Sequence, residues 1–207
     1  MAKQSAAIRK LTQANKPDPD GRRQRSQASR TKIITAFMEL MEAGDPSPSA
    51  ARVAEQAGVG LRSVFRHFDD MDSIYAEVDR LLNQQWRPVL SKPYESADWR
   101  DQLIELIERR AEVNENISAF RLITMFARFH SVQLMENYER LMKNEADALN
   151  AILPKSVQRD KRRSGAILLA TSFDSWRLFR HDQGLSNKQT IETMAQIVND
   201  IIAHIND

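Results

Sequence analysis

Side chains that can pair with a base edge or a phosphate are concentrated in one short segment, Gly60–His67. The segment reads GLRSVFRH and places two arginines, a serine and a histidine within eight residues. Arg62 is the strongest candidate for reading a base, because a guanidinium can donate two parallel hydrogen bonds to O6 and N7 of guanine. Leu61 and Ser63 could contact a thymine methyl group or make a short hydrogen bond. The segment therefore predicts a contact with double-stranded DNA.

A pair of short helices has to position this segment. Val53, Ala54 and Ala57 share one face of a first helix, Gly58 permits a left-handed turn, and Val64 points inward from a second helix. A small residue, a glycine four positions later and a branched residue six positions after that are typical of a helix-turn-helix. An ordinary corner between two helices uses its glycine in the same way, and the spacing alone does not separate the two.

The neighbouring residues supply the start and end signals of further helices. A first helix is predicted from Arg25 to Ala43, and Ser49 is the predicted N-cap of the next one, with Arg52 pointing outward. Asp70 is the predicted cap of a fourth helix, and Pro88 is predicted to end it.

Charge is distributed unevenly along the 207 residues, although the net charge is only +2. Residues 1–68 carry 12 Lys and Arg against 6 Asp and Glu, whereas residues 69–207 carry 18 against 22. A basic first part favours a polyanionic partner. Residues 1–24 are either a flexible leader or a basic arm that adds phosphate or minor-groove contacts.

The sequence offers little for catalysis. It has no cysteine, its four histidines stand at no metal-binding spacing, and it has neither a glycine-rich phosphate loop nor an HExxH motif. We therefore predict no catalytic residue, metal or cofactor, with a helical enzyme as the remote alternative. No apolar run approaches a membrane span and no secretory signal is evident, so no membrane contact and a cytoplasmic protein are expected.

Residues 57–75 read AGVGLRSVFRHFDDMDSIY and resemble the recognition-helix signature of the TetR family of bacterial transcriptional regulators. The resemblance implies an all-α fold. A three-helix helix-turn-helix DNA-binding domain (25–70) would follow the arm (1–24) and precede a helical ligand-binding and dimerisation domain (71–207). It also implies a repressor that binds a palindromic operator as a homodimer.

The resemblance also implies which residues meet DNA, with three departures. Phe65 replaces a tyrosine, Met71 a lysine and Arg62 a glycine of the family pattern, while His67 matches a histidine that contacts phosphate. The predicted DNA-binding residues are Ser49, Arg52, Gly60, Leu61, Arg62, Ser63, Phe65, Arg66 and His67.

The middle of the chain is rich in methionine and aromatic residues, which suit an adaptable apolar cavity. The same residues could simply form core. The candidate pocket residues are Trp86, Trp99, Phe120, Met125, Phe126, Phe129, His130, Tyr138 and Trp176.

The effector implied is small and hydrophobic. The segment RHFDDMD resembles TetR-type regulators of fatty-acid metabolism, which adds an acyl chain or another lipid-like molecule to the candidate effectors, although the same residues also serve to cap the fourth helix. A regulator without a small-molecule effector, constitutive or controlled by a protein partner, is the alternative.

Helices are predicted over residues 98–113, 117–129 and 131–153, with the first two separated at Asn-Glu-Asn. A long helix over 164–182 and a last one capped by Ser186 and Gln189 follow. Their apolar faces exceed what one protomer needs, and in the family such helices pair as a four-helix bundle. The predicted dimer contacts are Phe173, Trp176, Phe179, Ile197, Ile201 and Ile205.

Overall fold

The computed structural model describes residues 21–203, and all regular structure in that range is helical, as predicted. The helices are α1 Gly21–Glu42, α2 Ala50–Ala57, α3 Leu61–His67, α4 Met71–Leu90, α5 Trp99–Ala127, α6 Val132–Ile152, α7 Lys155–Arg159, α8 Lys161–Ala170, α9 Phe173–Arg177 and α10 Asn187–Ile202. A 3₁₀ turn (Arg128–His130) follows α5, and a π-helical turn (Leu178–Asp182) follows α9. Residues 1–20 of the predicted arm and Ile205 of the predicted dimer interface lie outside the described residues.

The chain divides into two compact units. The first unit runs to Gln85 and includes Asn116–Tyr138, and the second consists of Trp86–Glu115 and the residues from Glu139 onward. The division falls inside α4, α5 and α6, so each of these helices contributes residues to both units. No helix within residues 21–203 is long and apolar enough to cross a membrane.

The core of the first unit forms around α1. Phe37 is fully buried and meets the ring of Tyr75 edge to face, with 4.8 Å between the ring centroids. This geometry suits the opposite charges at the face and edge of aromatic rings. Apolar side chains from four helices and from Phe68, directly after α3, complete the core: Ile33, Ile34, Met41, Val53, Ala54, Val64, Phe68, Ile74, Val78 and Leu82.

The turn between α2 and α3 follows the predicted chemistry. Ser49 caps α2 by accepting a hydrogen bond from the Arg52 amide. Gly58 ends α2 with φ of +63°, in the left-handed region that glycine enters at little cost. The amide of Val59 then donates to the carbonyl of Ala54 at 3.0 Å. These contacts confirm the predicted turn.

The start of α4 is as predicted, but its predicted end is wrong. The carboxylate of Asp70 accepts a hydrogen bond from the Ser73 amide at 2.8 Å. Pro88 does not end the helix, which continues to Leu90. Proline removes only one backbone hydrogen bond, and exposed Pro88 leaves water free to replace it.

The predicted break between residues 113 and 117 is also wrong, because α5 runs through it as one helix of 29 residues. Asn114 is 3% exposed, and the carboxylate of Glu115 pairs with Arg180 at 2.6 Å. Asparagine disfavours helices when its side chain competes for the backbone. Here Asn114 is buried, Glu115 is held by a residue 65 positions away, and α5 is uninterrupted.

The single helix predicted over residues 164–182 is instead three segments. Asp160 caps α8, which ends at the fully buried Thr171, and Ser172 caps α9. Arg110 donates to the hydroxyl and the carbonyl of Thr171, each at 3.0 Å. Through this buried contact, Arg110 binds the carbonyl of Thr171 at the point where the chain leaves α8. The predicted capping box of Ser186 and Gln189 at the start of α10 is confirmed.

Gly58 and Gly60 form a matched pair for testing the turn. A Cβ at either position would meet no atom within 4 Å, but φ is +63° at Gly58 and −69° at Gly60. Gly58→Ala should lower the free energy of unfolding by about 1–2 kcal/mol, the cost of a left-handed alanine. Gly60→Ala should change it by less than about 0.5 kcal/mol. Urea unfolding measures both, and equal effects would contradict the argument.

Candidate nucleic-acid interface

Helix α3 has one buried and one exposed face. Val64 is 1% exposed and the following Phe68 is 3% exposed, so they hold the helix against the core. On the other side Leu61 is 45% and Phe65 51% exposed. Large apolar side chains left in solvent beside charged ones commonly mark a binding surface. The exposed face of α3 thus presents two large apolar side chains to solvent.

The polar side chains of α3 differ in their exposure. Arg62 and Arg66 are exposed, and Ser63 and His67 are half-buried. Gly60 is the N-cap residue of α3 and accepts a hydrogen bond from the Ser63 amide at 2.8 Å. Of the nine predicted DNA-binding residues, seven thus lie on α3 or at its N-cap.

The other two predicted residues lie on or before α2 and are already engaged. The hydroxyl of Ser49 caps α2, and the guanidinium of Arg52 pairs with the carboxylate of Asp45 at 2.6 Å. Arg52 is well exposed, and such surface pairs contribute only about 0–1 kcal/mol to stability. A phosphate could therefore replace Asp45 as the partner of Arg52 at little cost.

His67 is held in an environment that favours the neutral imidazole. Burial lowers the pKa of His67, and the charges of Arg66 and Arg30 lower it further. Its Nε2 atom is buried without a hydrogen-bond partner among the described residues. Its backbone carbonyl accepts a hydrogen bond from Arg30 at 2.8 Å. Sequence reasoning did not single out Arg30, because nothing in the local pattern of α1 points to a residue 37 positions away.

In the first unit the predicted pocket residues are scattered. Phe120 lines a cavity of about 20 Å³, the space of a single water molecule, with Met38, Met41, Glu42, Leu82, Asn116, Ile117 and Ala119. Phe126 and Phe129 are 70% and 66% exposed. Tyr138 lies under the guanidinium of Arg128 at 3.7 Å from the ring centroid, while Met125 is half-buried and His130 exposed.

In the second unit the predicted pocket residues line no described cavity. Trp86 and Trp99 are half-buried, and Trp176 is 1% exposed and stacks on Phe173 with 5.7 Å between ring centroids. A groove of about 480 Å³ is present, lined by Pro88, Val89, Lys92, Glu95, Glu105, Glu108, Arg109 and Glu112. Its four carboxylates make it a poor site for an apolar ligand.

The predicted dimer residues fall into two groups. Phe173 and Trp176 are buried within the protomer, whereas Phe179, Ile197 and Ile201 are half-buried. Leu169 on α8 and Leu178 on the π-helical turn are 64% and 42% exposed, and neither is among the predicted dimer contacts. The helix break at Thr171 could not be read from apolar periodicity, and it changes which side chains are exposed.

No group of three or more His, Asp or Glu side chains within residues 21–203 is arranged to hold a metal ion.

The lowered pKa of His67 predicts a pH-dependent contribution to stability. The folded state favours neutral His67, so this contribution is present above the ordinary histidine pKa of about 6.5 and is lost as the pH falls below it. The stability of the wild type relative to His67→Gln should therefore decrease between about pH 7.5 and pH 5.5. Urea unfolding across this range measures it, and a constant difference would contradict the prediction.

No family model and no curated protein matches the sequence. Among solved structures, a transcriptional regulator from Rhodococcus sp. Rha1 matches with a TM-score of 0.67 and 17% identity, over 84% of this chain and 96% of that chain. A protein assigned as a TetR-family transcriptional regulator from Mesorhizobium loti MAFF303099 matches with a TM-score of 0.58 and 20% identity, over 86% of this chain and 97% of that chain. A protein assigned as a fatty acid metabolism regulator of Clostridium perfringens matches with a TM-score of 0.62 and 14% identity, over 85% of this chain and 99% of that chain. The chain therefore has the fold of the TetR-family transcriptional regulators.

Proposed function

We propose that the protein is a DNA-binding transcriptional repressor that binds a palindromic operator as a homodimer and is released by a small hydrophobic effector. Residues 25–70 would be its DNA-binding domain, with residues 1–24 as a basic arm, and residues 71–207 would bind the effector and form the dimer. The mechanism is a shift between conformations, not a chemical reaction.

The exposed face of α3 is the observation that carries this proposal. Val64 and Phe68 fix the helix from below, while Arg62 and Arg66 remain free to pair with acceptors in the major groove. Leu61 and Phe65 add apolar contacts of the kind that thymine methyl groups provide.

A dimer follows from the size of this surface. One recognition helix covers too few base pairs for a specific site, and two-fold dimers read half-sites one helical turn apart. The exposed apolar side chains of Leu169 and Leu178 support a second copy as the partner of α8 and the π-helical turn. Half-buried Ile197 and Ile201 on α10 would extend the same contact.

The cavity between α1, α4 and α5 supports a role for an effector only if it expands. Small-molecule sites occupy about 300–1,000 Å³, far more than the 20 Å³ present. A ligand entering beside Met38, Leu82 and Phe120 would have to separate these helices, and that movement would couple its binding to the position of α4. The fatty-acid assignment of the Clostridium perfringens protein supports an acyl-like ligand, and release of the DNA complex by fatty acids would identify one.

The small volume of this cavity also favours a second candidate function. A regulator of the same fold could bind DNA constitutively or answer to a protein partner, and it would then need no ligand-sized cavity. The two candidates differ in whether any small molecule dissociates the DNA complex.

The test of DNA binding compares two duplexes by fluorescence anisotropy: the sequence upstream of the protein's own gene and a shuffled copy. The wild type should bind the first with nanomolar affinity and two chains per duplex. If the dimer contacts six to ten phosphates, raising the salt from 50 to 200 mM should lower its affinity for DNA by a factor of about 10³–10⁵. Equal, weak binding to both duplexes would place the operator elsewhere, and no binding at low salt would refute the proposal.

Arg62 should determine specificity in this assay. Arg62→Lys keeps the charge but loses the two parallel hydrogen bonds, so it should weaken operator binding by about 5- to 150-fold. Binding to the shuffled duplex should not change, because it depends on charge. Arg162→Lys, an exposed arginine of α8, is the matched control and should leave both affinities unaltered. Equal losses on both duplexes would mean that Arg62 contacts only phosphate.

Leu178 should be required for the dimer. Leu178→Glu would bury two unpaired carboxylates in a two-fold interface and should raise the dimer dissociation constant at least about a hundredfold. Leu90→Glu is the control, since Leu90 in α4 is 43% exposed against 42% for Leu178. Sedimentation equilibrium measures both variants. A Leu178→Glu protein that dimerises like the wild type would exclude this surface.

A further inference from the structure

The guanidinium of Arg30 touches three parts of the first unit. It donates a hydrogen bond to the carbonyl of His67 at 2.8 Å. It lies 4.3 Å from the ring centroid of Phe68, in cation–π geometry. It also pairs with the carboxylate of Glu77 in α4 at 3.4 Å. One side chain of α1 thus holds both the last turn of α3 and the second turn of α4.

The carboxylate of Glu77 is held in place for its contact with Arg30 by a second arginine. Arg80 binds it with two hydrogen bonds, at 2.8 and 3.0 Å, and the side chain of Glu77 is only 16% exposed. The Arg80 hydrogen bond is the largest cause of a lowered Glu77 pKa, and the charge of Arg30 adds to it. Glu77 is therefore an anion in the folded protein, held beside Arg30 by a second arginine.

The contact with His67 has a direct effect on α3. The carbonyls in the last turn of a helix have no partner within that helix, and a cation there also interacts favourably with the helix dipole. In a helix of seven residues this end is one turn from Arg62 and Ser63. The position of the carbonyl of His67 therefore helps to set the direction in which the base-reading side chains point.

We propose that Arg30 is a positioning residue for DNA recognition, which orients α3 through the His67 carbonyl, the Phe68 ring and Glu77 without touching DNA itself. The inference rests on the proposed function, because it assigns a role to α3 in reading a base sequence. Removing the contact would leave the number of cations that face DNA unchanged. It would spread α3 over several orientations, so operator affinity would fall while general attraction to DNA stayed the same.

Two variants separate positioning from charge. Arg30→Lys keeps the charge, but an ammonium cannot bond to a carbonyl, cover a ring and reach a carboxylate at once. It should weaken operator binding by about tenfold, the scale of losing one hydrogen bond to a charged group. Glu77→Gln removes a negative charge, so charge alone would tighten DNA binding, whereas loss of positioning should weaken it.

Glu55→Gln is the matched control for Glu77→Gln. Glu55 is exposed on α2 and takes part in no ion pair within the described chain, and its replacement changes the net charge by the same amount. It should bind DNA as tightly as the wild type or slightly more tightly. Stoichiometric titration with operator gives the active fraction of each variant, so that a partly unfolded protein is not mistaken for a weak binder.

A second measurement needs no DNA. Amide hydrogen exchange within α3 should be faster in Arg30→Lys and Glu77→Gln than in Glu55→Gln, while core amides of α1 keep their protection. Unchanged exchange in α3, or wild-type operator affinity in both variants, would overturn the inference. Equal losses on operator and shuffled duplex with a smaller salt dependence would also overturn it, because Arg30 would then bind phosphate. These assays use a duplex that the wild type distinguishes from its shuffled copy, and a wild type that binds no duplex at low salt would instead contradict the proposed function.

Discussion

A seven-residue helix cannot persist in water by itself, so α3 depends on the burial of Val64 and Phe68. Isolated helices need about 12–15 residues even when their composition is favourable. The left-handed turn at Gly58 brings α3 across α1 and α2, and their apolar faces supply the surface on which it rests. Every exposed side chain of α3 takes its direction from this packing. The arrangement of the exposed side chains on α3 thus depends on tertiary packing, although these residues are nearly consecutive in the sequence.

Local chemistry explains which features could be predicted from the sequence. The turn at Gly58, the cap at Asp70 and the capping box at Ser186 each depend on side chains within a few residues of one another. The wrong predictions share a different cause. The continuity of α5 past Glu115 and the break before α9 at Thr171 both occur where a side chain meets a partner far along the chain. Such partners leave no local pattern.

The same distinction applies to the candidate site. The exposed face of α3 could be predicted because inward and outward positions alternate with the helical period. The contacts of Arg30 could not, since its partners lie 37 or more positions away. Apolar composition gave no way to separate a cavity from a core, and Trp176 is buried against Phe173 while Phe126 and Phe129 remain in solvent. Exposure depends on where helices break, which periodicity alone does not reveal.

The composition of the first unit limits how its helix-turn-helix could be exchanged between proteins. Residues 116–138 belong to this unit although they follow α3 by about fifty positions. Ile117 and Phe120 line the same cavity as Met38 and Leu82, and the hydroxyl of Ser131 donates to Asp72 at 2.6 Å. A chimera joined after residue 70 would bring a foreign partner to these surfaces. Recombination between proteins of this fold would therefore preserve folding only where both segments of the unit come from the same parent, although the two segments are separated in the gene.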